Sequence, residues 1–281
     1  MATVEPVTMN ALSTNEAGSG HAHFGRLLLA EWTKLRSVRS TFWSLITLVL
    51  VLPFFSWLIP YLVAHNWSQE DPGSRAQIIQ DPVSAILGVG LGLGQLGIAV
   101  LGVLVMASEY STGMIRSTLL ASPRRVRMLA AKSVVFTLLA LVIGEIVSFA
   151  AFFLGRQALK SAFTISLSQG TNLRQVVGAG LYLGLLALFA MVIGALIRHP
   201  AGAITGVVVL LLLIGNIIQL IPGTVGKYLY TYEPTNAGIA IVSNHVSDKF
   251  VLTAWEGFGV FGAWTAALWI FAAWILVRRD A

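Results

Sequence analysis

The chain contains no cysteine, which excludes disulfides, thiolate metal sites and a cysteine nucleophile. Charge is scarce as well: Asp, Glu, Lys and Arg make up 11% of its 281 residues, against roughly a quarter in a soluble domain. Hydrophobic residues reach 56% and the mean hydropathy is +0.80, so the solvent this sequence is written for is lipid. Signatures of chemistry are also missing. There is no G-x-x-x-x-G-K-[ST] phosphate loop, because Ile221 stands where its first glycine would precede Gly226 and Lys227. No H-E-x-x-H, paired-Asp or G-x-S-x-G motif occurs, and His21, His23, His65, His199 and His245 are scattered. The chain is therefore expected to be no enzyme and to bind neither metal, cofactor nor ATP itself.

What the chain has is long apolar runs. About 20 such residues cross a hydrocarbon core of ~30 Å, and six segments qualify: 41–64, 83–107, 133–154, 176–197, 201–221 and 257–277. Five carry no charge, and the third carries Glu145 alone. Some forty residues precede the first run and no A-x-A site closes it, so it reads as a permanent anchor rather than a cleaved signal. The expected fold class is an all-α polytopic membrane protein: six transmembrane helices with an N-terminal amphipathic interfacial helix.

Basic residues give the orientation. With six spans both termini share a side with the 108–132 and 198–200 connections, and that side holds twelve of the eighteen Lys and Arg, from Arg26 to Arg279. The other side holds Arg75, Arg156, Lys160, Arg174, Lys227 and Lys249, offset by acids. Both termini are expected in the cytoplasm. This placement accounts for the net charge of +6 without nucleic acid. Residues 1–23 are small and polar, a composition that favours a disordered tail. Over 24–40, Phe24, Leu28, Trp32 and Leu35 recur at helical steps, with Arg26, Glu31, Lys34, Arg36 and Arg39 on much of the remaining surface. That pattern predicts a cationic helix lying on the inner membrane surface, an anchor for anionic lipid at the least. Residues 222–256 form the longest external connection, with the short run Ala237–Val242 suggesting a re-entrant or interfacial helix.

Gly92, Gly94 and Gly97 spell a formal G-x-G-x-x-G, but they lie inside a span. Close helix packing is the expectation there, through pairs four apart such as Gly88/Gly92, Gly90/Gly94, Gly180/Gly184 and Gly202/Gly206. Glu145 should face protein, water or a partner, either as a proton or substrate site or as a neutral, hydrogen-bonded group between helices. Asn216 and Gln219 share a helical face; they line a pathway or hydrogen-bond to a neighbouring helix. After the second span, a helix from Glu109 to Leu120 would put Glu109, Thr112, Gly113 and Arg116 on one face, with Pro123 ending it. Such a helix suits docking onto a soluble partner; the plainer alternative is a solvated loop whose arginines only set topology.

Three short motifs add a resemblance. Glu31-Trp32-x-Lys34-Leu35-Arg36 before the first span, Glu109-Tyr110-x-x-Gly113-x-x-Arg116 after the second, and Pro123-Arg124-Arg125 resemble the signature of type 2 ABC exporter permeases. The likeness extends to the order of elements, including the very short turn at Arg198-His199-Pro200. It implies a permease that pairs with a second copy or paralogue and is driven by a separate cytoplasmic ATPase holding ATP and Mg. Glu109, Tyr110, Gly113 and Arg116 would then transmit the ATPase's movement, braced by Glu31 and Lys34. Glu145, Asn216 and Gln219 are the candidates for a cargo pathway. The rival expectation is a proton-coupled secondary transporter using Glu145. It is weakened because Pro53 and Pro60 of the first span have no counterpart in the fourth. A membrane scaffold or sensor is the third class.

Overall fold

The computed structural model describes residues 24–37, 39–115, 125–244 and 251–278. All regular structure among them is helical, as lipid demands of a backbone that must satisfy its own hydrogen bonds. In chain order the helices are α1 (Phe24–Ser37), α2 (Arg39–His65), α3 (Pro72–Gln80), α4 (Pro82–Ser111) and α5 (Arg125–Leu159). They continue with α6 (Asn172–Ile197), α7 (Pro200–Ile218), α8 (Gly223–Tyr232), α9 (Pro234–Ile239) and α10 (Ala254–Arg278). Helices α2, α4, α5, α6, α7 and α10 are long and apolar enough to span a membrane. The chain is an all-α, multi-pass membrane protein.

Charges mark where the bilayer cuts these helices. The 35 residues of α5 extend about 52 Å, well beyond a ~30 Å core. Lys132 and Arg156 lie about 36 Å apart along it, so the apolar stretch between them fits the core and Glu145 falls near its middle. Helices α2, α4, α6 and α5 pack in a ring, with α4 and α6 the most enclosed. Helix α10 closes against α6, α5 and α9, α7 leans on α4 and α6, and α1 lies against α5.

Glycine sets the closest contacts. A Cβ at Gly90 would collide with Leu52 O and Ser56, and one at Gly94 would stand 3.1 Å from Leu52 Cβ. Glycine is thus required at position 90 for α4 to approach α2 this closely, while a Cβ at position 94 would demand that Leu52 give way slightly. The expected Gly88/Gly92 pair does no such work: both face open space, on the opposite side of α4. Within the ring Tyr182 of α6 and Gln95 of α4 form a buried polar pair, the Tyr182 hydroxyl donating to Gln95 Oε1 at 2.6 Å. Each would be an uncompensated polar group without the other.

Several boundaries differ from expectation. Helix α4 runs four residues past 107, so Glu109 and Tyr110 end a membrane helix and do not begin a separate one. The break follows at once: Thr112 caps α4, and Gly113 adopts φ +72°, the left-handed conformation that ends a helix and that glycine adopts without a Cβ penalty. A continuous helix from Glu109 to Leu120 is excluded by that turn. Helix α3 was not expected, although Asp71-Pro72 is a helix-start signal: the Asp71 carboxylate accepts from the amides of Gly73 and Ser74. Helix α7 contains a π-helical stretch, Leu210–Ile214, and residues 222–244 form two short helices, α8 and α9. The 1–23 tail lies outside the described residues.

Candidate functional site

Two acids and two lysines form a closed ring at one end of the bundle. Lys132 of α5 donates to Glu31 Oε2 of α1 at 2.6 Å and to Glu109 Oε1 of α4 at 2.8 Å. Lys34 of α1 completes it, reaching Glu31 Oε1 at 2.9 Å and Glu109 Oε1 at 3.2 Å. Lys132, Glu31 and Glu109 are buried, while Lys34 remains about one-third exposed. Helical spacing makes this possible: Leu28, Glu31 and Leu35 fall on one ridge of α1, which sets a carboxylate between apolar side chains that seat the helix on α5.

Glu31 and Lys34 were expected among the charges on the outer surface of a membrane-surface helix; here they turn inward. Arg26 and Arg36 stay exposed on α1, together with Phe24, Leu29 and Trp32. Burial pushes the Glu31 carboxyl upward, but the ammonium groups of Lys132 and Lys34 more than offset this and hold it below its ordinary range. Burial likewise pulls the Lys34 ammonium down, and Glu31 and Glu109 hold it above its ordinary range. A cavity of about 220 Å³ adjoins the ring, with Ser37, Thr41, Ser108 and Met114 also in its wall. Glu109 Oε2 is buried without a hydrogen-bond partner among the described residues.

Beside the ring, Tyr110 meets the turn between α6 and α7. The Arg198 guanidinium stands 4.9 Å from the centre of the Tyr110 ring, held there by a left-handed backbone (φ 58°) that ends α6. His199 and Pro200 then start α7 with a side-chain cap, His199 Nδ1 accepting from Gly202 N at 3.2 Å. Arg125, at the start of α5, donates to the carbonyl of Leu276 near the end of α10 at 2.9 Å. The ends of α1, α4, α5, α6 and α10 are thus tied together around the Gly113 turn. Of the four residues expected to transmit movement, Glu109, Tyr110 and Gly113 occupy this junction, while Arg116 lies outside the described residues, as do Pro123 and Arg124.

The three pathway candidates do not converge. Glu145, half-buried on α5, lies directly over Gly180 of α6, where any Cβ would strike its carboxyl group. Asn216 donates back to Leu212 O in its own helix at 2.7 Å, within the stretch loosened by the π turn, and both it and Gln219 are exposed. Among the described residues neither reaches a neighbouring helix through a hydrogen bond. Gln219 borders a separate cavity of about 250 Å³ with Lys227 and Tyr230.

A second polar cluster lies at the other end of the bundle. Asp81, capping α4, accepts from Gln175 Nε2 at 2.6 Å, Ser84 Oγ at 2.7 Å and Asn244 N at 2.7 Å. Arg174 donates to the carbonyls of Ile241 and Ser243, and Gln175 to that of Val242. The turn after α9 is thereby strapped onto α4 and α6. Burial pushes the Asp81 carboxyl up, but Gln175, Asn244 and Ser84 donate enough to hold it below its usual range. Sequence reasoning passed over both Asp81 and Lys132. Asp81-Pro82 carried a readable cap signal, whereas Lys132 looked like one more positive flank.

Six spanning helices and a junction of charged side chains at one end define the class, a multi-pass membrane protein. Compared with known proteins, the chain matches no family model and no curated protein.

Proposed function

We propose that this chain is the permease subunit of an ATP-driven exporter of the type 2 ABC kind, in the cell membrane with both termini in the cytoplasm. A separate ATPase subunit binds ATP and Mg, and a second permease copy or paralogue completes a dimer. The cargo is a drug, antibiotic, lipid-like or other small molecule moved outward. One observation carries this reading: Lys132 holds Glu31 and Glu109 together, so the interfacial helix and two spanning helices meet beside the Gly113 turn. A push on the segment that follows that turn reaches α1, α4 and α5 through buried ionic contacts, a suitable joint for passing movement from a soluble motor into a membrane domain.

The test is reconstitution of the chain with its ATPase in proteoliposomes, reading transport and ATP hydrolysis together. Glu109→Gln should uncouple the two, with hydrolysis continuing while transport falls. Purified chain that hydrolyses ATP with no second subunit present would defeat the proposal.

A proton-coupled transporter is favoured by a different feature, the Glu145 carboxyl, which lies in the middle of a span against Gly180 with no hydrogen bond among the described residues. Uphill transport driven by a proton gradient without ATP would decide for it.

A further inference from the structure

At the end of the bundle away from α1, the tips of α2 and α5 enclose a groove of about 500 Å³. Its α2 wall is a ladder of rings. Trp57 and Tyr61 stack with centroids 5.4 Å apart and planes 18° apart, and Tyr61 and His65 follow at 6.3 Å and 15°. Its other wall is Gln157, Ala158, Lys160 and Ser161. Gln157 and Lys160 also line an adjoining cavity of about 190 Å³ that contains Arg156, Phe153 and Phe163. Among the described residues neither Arg156 nor Lys160 makes an ion pair, although ion pairs engage Lys34 and Lys132 at the opposite end.

The position of the groove matters as much as its composition. Helix α2 ends at His65 and α5 at Leu159, so the two cations stand where spanning helices leave the hydrocarbon. Below them Tyr61, Leu62, Phe153 and Leu154 are exposed at the depth of acyl chains. A ligand that fits carries negative charge at the headgroup level and a long apolar tail directed inward. Free anions lack the tail. Zwitterionic lipid has the tail, but its own cation opposes Arg156 and Lys160.

We infer that this groove binds an anionic phospholipid of the surrounding leaflet, its phosphate between Arg156 and Lys160 and an acyl chain along Trp57 and Tyr61. The inference rests on the chain spanning a membrane and is independent of the transport reading. Lys160, Gln157 and Ser161 supply donors to the phosphate, and the stacked rings give the chain a flat, rigid wall.

Native mass spectrometry of the purified full chain, titrated with phosphatidylglycerol or with phosphatidylcholine of the same acyl chains, tests it. The wild-type chain should retain phosphatidylglycerol about tenfold more tightly. Arg156→Gln combined with Lys160→Gln should abolish the preference while leaving the melting temperature unchanged, since Lys160 is exposed, Arg156 is half-buried, and neither makes an ion pair among the described residues. Lys160→Met alone should halve the logarithm of the preference. Trp57→Ala should weaken both lipids alike, and Lys227→Gln, distant in the groove's terms, should change nothing. Equal retention of the two lipids by wild type would overturn the inference. So would a preference surviving in the double variant, or displacement of the lipid by glycerol phosphate at equal concentration.

Discussion

Lys132 and Glu31 meet at 2.6 Å across 101 residues of sequence, and both are buried. The contact fixes a helix that precedes the first span to one that begins the third. It gives the interfacial helix a defined angle on the bundle, which membrane-surface affinity alone would not supply. Removing the ammonium should expose what it holds. Lys132→Met leaves Glu31 and Glu109 facing each other with only Lys34 between them, at a cost of about 3–5 kcal/mol. The expected result is a marked fall in melting temperature in detergent, partly restored by adding Glu109→Gln. A melting curve unchanged by Lys132→Met would show that the ring contributes nothing.

The two ring members on α1, Glu31 and Lys34, should be insensitive to pH near neutrality. Glu31 is held below 4.5 in the folded protein, so its contribution is complete above pH 4.5 and is lost as pH falls through the lowered value. Lys34 is held above 10.5, so its contribution is complete below that pH and is lost as pH rises through the raised value. At the opposite end Asp81 is held below 3.8, so its contribution is complete above that pH and is lost as pH falls through the lowered value. Stability measured from pH 5 to 10 should therefore be flat in what these groups contribute. Comparison of wild type with Glu31→Gln across that range checks it, because their difference should stay constant.

Tyr110 and Arg198 permit a sharper dissection. The cation over the ring contributes about 0.5–2 kcal/mol, while the left-handed backbone at Arg198 costs about 1–2 kcal/mol. Arg198→Ala loses the first and keeps the second, so it should destabilise the protein. Arg198→Gly loses both and should lie near wild type. Tyr110→Phe keeps a ring and should be mild, whereas Tyr110→Leu should match Arg198→Ala. Thermal unfolding of the four variants reads this order directly.

Much of this architecture is legible in the sequence because the lipid imposes it. Runs near 20 apolar residues found all six spanning helices, and Asp-Pro pairs at 71–72 and 81–82 already spelled the starts of α3 and α4. The ring was legible only in pieces. Glu31, Lys34 and Glu109 stood out through their motifs, but Lys132 reads as a topological charge until folding brings it to partners 101 and 23 residues away. The end of α4 was misread for a simpler reason. Hydropathy falls where Ser108 and Glu109 begin, yet the helix continues to Ser111: Ser108 Oγ donates to Leu104 O of the same helix, and Glu109 Oε1 accepts from the lysines of the ring. Thr112-Gly113 was the true stop signal. Asn216 and Gln219 share a face as expected, but the face is turned outward, and periodicity alone gives no direction for it.

Orientation can be read from single cysteines, since the chain has none of its own. Thr112 and Gln169 are both exposed and lie at opposite ends of the bundle. An impermeant thiol reagent added to intact cells should label Gln169→Cys and spare Thr112→Cys, with both labelled after lysis. The reverse pattern would put the charged ring outside the cell and leave no place for a cytoplasmic motor.

Glu145 decides between the two transport readings. Its carboxyl lies against Gly180 near the middle of α5, where ionisation in lipid is costly. If the group is a neutral filler of the α5–α6 contact, Glu145→Gln keeps its shape and transport should survive with ATP as the energy source. Gly180→Ala should be worse than Glu145→Gln, because the added methyl group strikes the carboxyl and separates two packed helices. If Glu145 carries a coupling proton the order reverses: Glu145→Gln abolishes uphill movement in a folded protein, while Gly180→Ala costs stability first. Transport and melting temperature measured on both variants in the same proteoliposome preparation separate the cases. Loss of transport in folded Glu145→Gln, together with a requirement for a proton gradient in the parent, would transfer the energy source from a partner ATPase to this chain.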